Sequence, residues 1–135
     1  MAKRVPKGIV CLLSALSFHG IGTQMPREAW IAVDRKARKP HLPDLPVRFV
    51  RFSGNALHCG IQKIRAEGVP VRITSPARTV VDCFRYRNKI GLDVALEALR
   101  DALQHRKTSL GEIHRAAGKC RARNVILPYL RSLAR

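Results

Sequence analysis

The dipeptide Ser75-Pro76 constrains this chain more sharply than any other feature, because the residue pattern changes period across it. On its N-terminal side Val69, Val71 and Ile73 alternate with Pro70 and Arg72, so the two sets face opposite sides of a strand. On its C-terminal side Ala77, Val80, Val81 and Phe84 recur at helical spacing. Serine is a strong N-cap, and proline is well placed at a first helical position. A strand therefore runs straight into a helix, and the fold must accommodate both.

Upstream of that junction the chain reads mostly as strands. Residues 61–64 and 69–73 flank Glu67-Gly68, the pattern of a β-hairpin, and Pro70 puts its second arm near a sheet edge. The stretch VRFVRF, residues 47–52, is a strand in which Arg48 and Arg51 interleave with Phe49 and Phe52. Residues 30–33, WIAV, form a further short β-prone run. Between these two lie Pro40, Pro43 and Pro46, which exclude a regular helix or a central strand. Residues 55–60 suit one helical turn. The N-terminus is basic and then apolar over residues 9–18, which resembles a secretory signal peptide. Yet Ile9, Leu12, Leu13 and Leu16 share one helical face, with Pro6 ahead and Gly20 behind, and this favours a buried helix.

Downstream, the spacing predicts helices. Arg78 and Asp82 form an i, i+4 pair expected on the outside of the first. A basic connection over residues 85–89 leads to a second helix with Leu92, Leu96, Leu99 and Leu103 on one face. Ser109 and Glu112 have the form of a capping box opening a third. A fourth, around residues 125–133, contains Pro128 and is expected to kink or start late. The order implies an α+β (mixed α/β) fold: a small, mostly antiparallel sheet packed by an N-terminal helix and a C-terminal set of helices. The expected organisation is one domain over residues 9–135, preceded by a linker-like basic stretch over residues 1–8.

Charge narrows the partner. Lys and Arg number 26 against 9 Asp and Glu, a formal net charge of +17. Self-repulsion on that scale is relieved by a polyanion, so nucleic acid is the leading partner. The basic residues cluster as Arg35, Lys36, Arg38 and Lys39; Arg85, Arg87 and Lys89; Arg106 and Lys107; and Lys119, Arg121 and Arg123. Contacts of this kind to phosphate supply affinity and salt dependence rather than sequence choice. Residues 109–135 superficially suggest a helix-turn-helix, but Pro128 falls inside the would-be recognition helix. No apolar run approaches the roughly 18 residues that cross a bilayer, and a cytoplasmic location is expected, with no membrane partner.

Catalytic chemistry has little to stand on. Asp93, Glu97 and Asp101 share a helical face and could serve a metal-dependent, nuclease-like centre or an acidic docking stripe for a partner protein. The plainer account is that Asp93 and Glu97 complement the helix dipole, since no His or Cys joins them at ligand spacing. His58 and Cys59 are adjacent, but neighbours on a strand point apart. Cys11, Cys59, Cys83 and Cys120 match no zinc signature and are expected to be small buried residues, reduced in a cytoplasm. No cofactor, metal site or catalytic residue is expected.

The stretches PKGIVCLLSALSFHGI, REAWIAVDRKARKP, VRFVRFS and, most specifically, GVPVRITSPARTVVDCFRYRNKIGLDVALEALRDAL resemble the AbiEi antitoxins of bacterial type IV toxin–antitoxin (abortive infection) systems. The resemblance runs through nearly the whole chain in order. It implies the C-terminal antitoxin domain without the N-terminal winged helix that members of the family usually carry. It further implies a non-enzymatic transcriptional regulator that binds DNA of its own operon, or RNA, and counteracts a nucleotidyltransferase-like toxin without stably binding it. The resemblance brings no catalytic motif, so the basic positions above are the site residues, assigned on physical grounds alone.

Overall fold

A computed structural model describes residues 7–38 and 44–133. Its elements are β1 (Ile9–Val10), α1 (Leu12–His19), β2 (Ala29–Asp34), β3 (Val47–Phe52), a 3-10 turn (Gly54–Leu57), β4 (Ile61–Ala66), β5 (Val69–Thr74), α2 (Pro76–Arg85), α3 (Arg87–Ile90), α4 (Leu92–Gln104), α5 (Leu110–Lys119) and α6 (Arg123–Leu133). The expected α+β class is observed. No helix among the described residues is long and apolar enough to cross a membrane.

The sheet is mixed, and this corrects the expectation of a mostly antiparallel one. Its order is β3-β2-β1-β5-β4. β1 pairs antiparallel with β2, and β4 with β5, whereas β2–β3 and β1–β5 are parallel. Residue alternation identifies a strand but carries no direction. The dozen or so residues that a parallel crossover needs are supplied here by residues 35–46. Pro46 immediately precedes β3, whereas Pro40 and Pro43 lie outside the described residues.

The opening apolar run splits rather than forming one helix. Ile9 and Val10 are strand, Cys11 is extended at φ −147° as the N-cap, and α1 begins at Leu12. Gly20 ends α1 in the left-handed region at φ +68°, and the Ile21 N–H then reaches back to the Leu16 carbonyl at 2.9 Å. Ile9, Leu12 and Leu16 all lie in the core.

Register sets the two faces of the sheet. Ile9, Trp30, Ala32, Val50 and Phe52 join the helices in the main core, while Ile31 and Val33 form a small second cluster with Val10, Val47 and Phe49. Pro70 meets the edge expectation in part. β5 is an inner strand, but β1 pairs only with Arg72 and Ile73, so among the described residues the strand has no partner on that side at Pro70.

α2 is the central helix, in contact with α1, α4, α5 and α6. Ser75 caps it by accepting from the Arg78 N–H at 3.2 Å, with Pro76 in the first turn. Its predicted apolar face is buried, and so is the opposite face: Arg78 and Asp82 are each 1% exposed, which overturns their placement outside. Spacing alone cannot show that a helix is enclosed on every side. In α4 the buried residues are Ala95, Ala98, Leu99 and Ala102, whereas Leu92 is 40% exposed. The core-facing stripe thus keeps Leu99 and adds Ala95, Ala98 and Ala102, while Leu96 and Leu103 pack against its margin and Leu92 alone of the four leucines is exposed. Pro128 sits inside α6, which starts at Arg123 rather than late.

Arg78→Met is expected to lower the unfolding free energy by about 3–5 kcal/mol, because it strands a buried carboxylate. Arg78→Met combined with Asp82→Leu should recover most of that loss. Urea denaturation followed by circular dichroism measures both, and a cost below about 1 kcal/mol for the single variant would remove the pair from its structural role.

Candidate nucleic-acid interface

The segment between β3 and β4 leaves one edge of the sheet and reaches the other, and Arg78 holds it. The guanidinium lies 4.6 Å from the Phe52 ring centroid. Its Nε donates to both Asp82 oxygens at 3.0 and 2.9 Å. Its Nη1 donates to the carbonyls of Ala56 and Cys59 at 2.9 and 2.7 Å and lies 3.3 Å from the Cys59 sulfur. Burial pushes the Asp82 carboxyl up from its ordinary value, against the opposing pull of Arg78. At Gly60 (φ +61°) a Cβ would come within 2.7 Å of the Arg78 Cβ, so this close approach requires glycine.

A disulfide fastens the same segment to the turn between α5 and α6. Cys59 and Cys120 are bonded, with Cα atoms 5.9 Å apart, which corrects the expectation of reduced cysteines at these positions. The bond also removes Cys59 as a nucleophile beside His58. Sequence separation of 61 residues gave no cue to the pairing. The Asn55 side-chain amide donates to the Lys119 carbonyl, and Arg85 Nη2 donates to the Cys120 carbonyl at 2.7 Å. The turn between α5 and α6 is thus fastened by three bonds; Lys119 ends α5, Arg121 lies on the turn and Arg123 opens α6. Arg121 has φ +56°, a left-handed conformation that turns the chain sharply. Ala117, Gly118, Arg121, Arg123 and Asn124 line an open cleft of about 330 Å³. Gly118 lets Arg123 lie close, since a Cβ there would sit 2.8 Å from its Nη2.

The remaining predicted groups fall elsewhere. Of the 85–89 group, Arg85 alone is tied to the α5–α6 turn; Arg87 donates to the Phe84 carbonyl at 2.8 Å, and Lys89 lies over the Tyr86 ring. Arg106 and Lys107 follow α4, where Lys107 lies beside Gly20. Arg35, Lys36 and Arg38 occupy the turn after β2. There Arg51 donates to the carbonyls of Asp34, Arg35 and Ala37, and Asp34 accepts from the Lys36 N–H. Lys39 lies outside the described residues.

Sequence reasoning missed the cations of the hairpin. Lys63 and Arg72 are direct cross-strand neighbours, and Arg65 follows two residues along the same face. No carboxylate pairs with any of the three among the described residues. Arg72 Nη2 donates to the Leu57 carbonyl at 2.9 Å, joining this face to the segment that Arg78 holds. The missed signal was the spacing of Lys63 and Arg65, which is strand periodicity applied to charge.

The α4 carboxylates are largely engaged in structure. Glu97 accepts from the Thr23 N–H and hydroxyl, both at 3.0 Å. Asp101 accepts from the Gly22 N–H at 2.7 Å and pairs with His105 at 3.0 Å. Asp93 lies in the first turn of α4. No group of three potential metal ligands occurs among the described residues. A scan against protein-family models finds no match to this chain, and neither does a search of curated proteins.

Cys11 and Cys83 are free and buried, and burial raises both thiols well above their ordinary range, with Asp82 adding to the effect. Their raised values keep both thiols neutral under ordinary alkylation conditions. Native protein should therefore give no labelling by an alkylating reagent, two labelled thiols after denaturation, and four after denaturation with reductant. Mass spectrometry counts them, and four thiols without reductant would contradict the Cys59–Cys120 bond.

Proposed function

We propose that this chain is a non-enzymatic antitoxin and transcriptional-regulator domain of the AbiEi type, acting in the cytoplasm and binding nucleic acid through its basic surface. The partner is DNA of its own operon, or RNA. It counteracts a nucleotidyltransferase-like toxin with which it forms no stable complex. The family part of this reading rests on the resemblance of the stretches quoted above.

The observation that carries nucleic-acid binding is two groups of cations fastened to one segment. Lys63, Arg65 and Arg72 on the hairpin and Lys119, Arg121 and Arg123 where α5 meets α6 are each tied to residues 53–60. Within the hairpin, like charges set directly across the strands repel, and phosphates relieve the repulsion. One observation favours a second reading of location: the Cys59–Cys120 bond suits an oxidising compartment, where disulfides persist.

Fluorescence anisotropy with duplex DNA from the upstream region and with scrambled DNA, each at two salt concentrations, tests the reading. Affinity is expected to fall steeply as salt rises. Combined Lys119→Glu, Arg121→Glu and Arg123→Glu should weaken binding to both sequences alike and reduce the salt slope by about one for each phosphate no longer neutralised. Absence of binding at either salt would defeat the proposal.

A further inference from the structure

We propose that the β4–β5 hairpin is a two-stranded ribbon that enters the major groove of duplex DNA, presenting Lys63, Arg65 and Arg72. The inference rests on the nucleic-acid reading above and names the element and the form of nucleic acid that it fits.

Four observations carry it. First, among the described residues the distal half of the hairpin has no strand on either edge. β4 ends the sheet, and the described pairing of β1 with β5 stops at Arg72 and Ile73, so residues 64–71 extend as a ribbon beyond their described neighbours in the sheet. Secondly, the ribbon is stiff at its tip. Glu67 and Gly68 both have positive φ, +52° and +79°, the arrangement of a tight two-residue hairpin turn. The Arg65 guanidinium braces it by donating to the Gly68 carbonyl at 3.0 Å.

Thirdly, the cations sit together on one face. Lys63 faces Arg72 across the ribbon, and Arg65 lies one repeat further towards the tip, opposite Pro70. Lys63 and Arg65 are exposed. Lysine and arginine donate to the O6 and N7 acceptors of guanine in the major groove, which admits a two-stranded ribbon. Glu67 at the tip would be repelled on a phosphate backbone, but cytosine amino groups in the same groove suit a carboxylate.

Fourthly, the ribbon lacks what other nucleic acids require. Residues 61–74 contain no Phe, Tyr or Trp, so the ribbon has no stacking platform for single-stranded bases. A-form RNA has a deep, narrow major groove that such a ribbon cannot enter. The geometry therefore selects duplex DNA. Pro70 removes an N–H from the unpaired edge of β5, which keeps that edge from pairing with another chain.

The test compares the wild-type chain with Lys63→Thr/Arg65→Thr, substitutions that retain strand propensity. Unchanged thermal melting and circular dichroism establish that the variant is folded, and Lys63→Glu serves as a second variant. Anisotropy is read with duplex DNA, duplex RNA and single-stranded DNA of equal length. Methyl green, which occupies the major groove, and distamycin, which occupies the minor groove, are competitors. The expected result is a loss of about tenfold or more on duplex DNA in the variants, with little change on the other two. Methyl green should displace the wild-type chain, and distamycin should not. Equal losses on all three nucleic acids, or displacement by distamycin alone, would overturn the groove assignment. Wild-type affinity retained by the variants would overturn it while leaving the nucleic-acid reading intact. No binding by the wild-type chain would defeat that reading itself.

Discussion

A buried guanidinium organises this molecule. Arg78 lies within the central helix, where an isolated charge would be prohibitively costly, and the structure is arranged so that it is not isolated. Asp82 neutralises it one helical turn away, Phe52 offers its ring, and two carbonyls of the 53–60 segment accept from it. No buried side-chain nitrogen or oxygen lacks a partner among the described residues. A less polar residue at 78 would pack more readily but could not grip that segment's backbone. Arg78 thus grips the route of the chain from one sheet edge to the other from within, while Arg72, Asn55 and the Cys59–Cys120 bond hold it from outside, and the basic surface depends on that route.

Much of the local structure was legible because local signals agreed with one another. The Ser75 cap and the Ser109–Glu112 box, the 61–64 and 69–73 arms, and the VRFVRF strand all stand where their chemistry puts them. What was illegible was non-local. The parallel pairing of β2 with β3 depends on a crossover, and the burial of Arg78 and Asp82 depends on neighbours contributed by distant segments. The Cys59–Cys120 bond joins thiols that no short motif connects. The leucines of α4 marked its inner face at Leu96, Leu99 and Leu103 but left out the alanines that complete it, whose small side chains register weakly in a pattern of large apolar residues.

The basic surface was half legible. Clusters contiguous in sequence stood out, but the structure distributes them among separate places and turns one of their members inward, Arg85 onto the Cys120 carbonyl. The hairpin cations were overlooked because they are spread along two arms, and only the register of β4 against β5 assembles them. Charge counted along a chain differs from charge counted on a face. The acidic residues give the converse case: their helical spacing, read mainly as complementing the helix dipole, gave no sign that Glu97 and Asp101 hold the backbone of residues 22 and 23.

The covalent bond between Cys59 and Cys120 closes a ring of chain that contains the hairpin, the central helix and α4. The exposed turn at Arg106 and Lys107 lies within that ring and offers trypsin-like proteases a ready site. A cut there opens the polypeptide without separating its halves, and the two pieces travel as one molecule until a thiol reductant reaches them. Survival after proteolytic nicking thus becomes a property of the oxidised form.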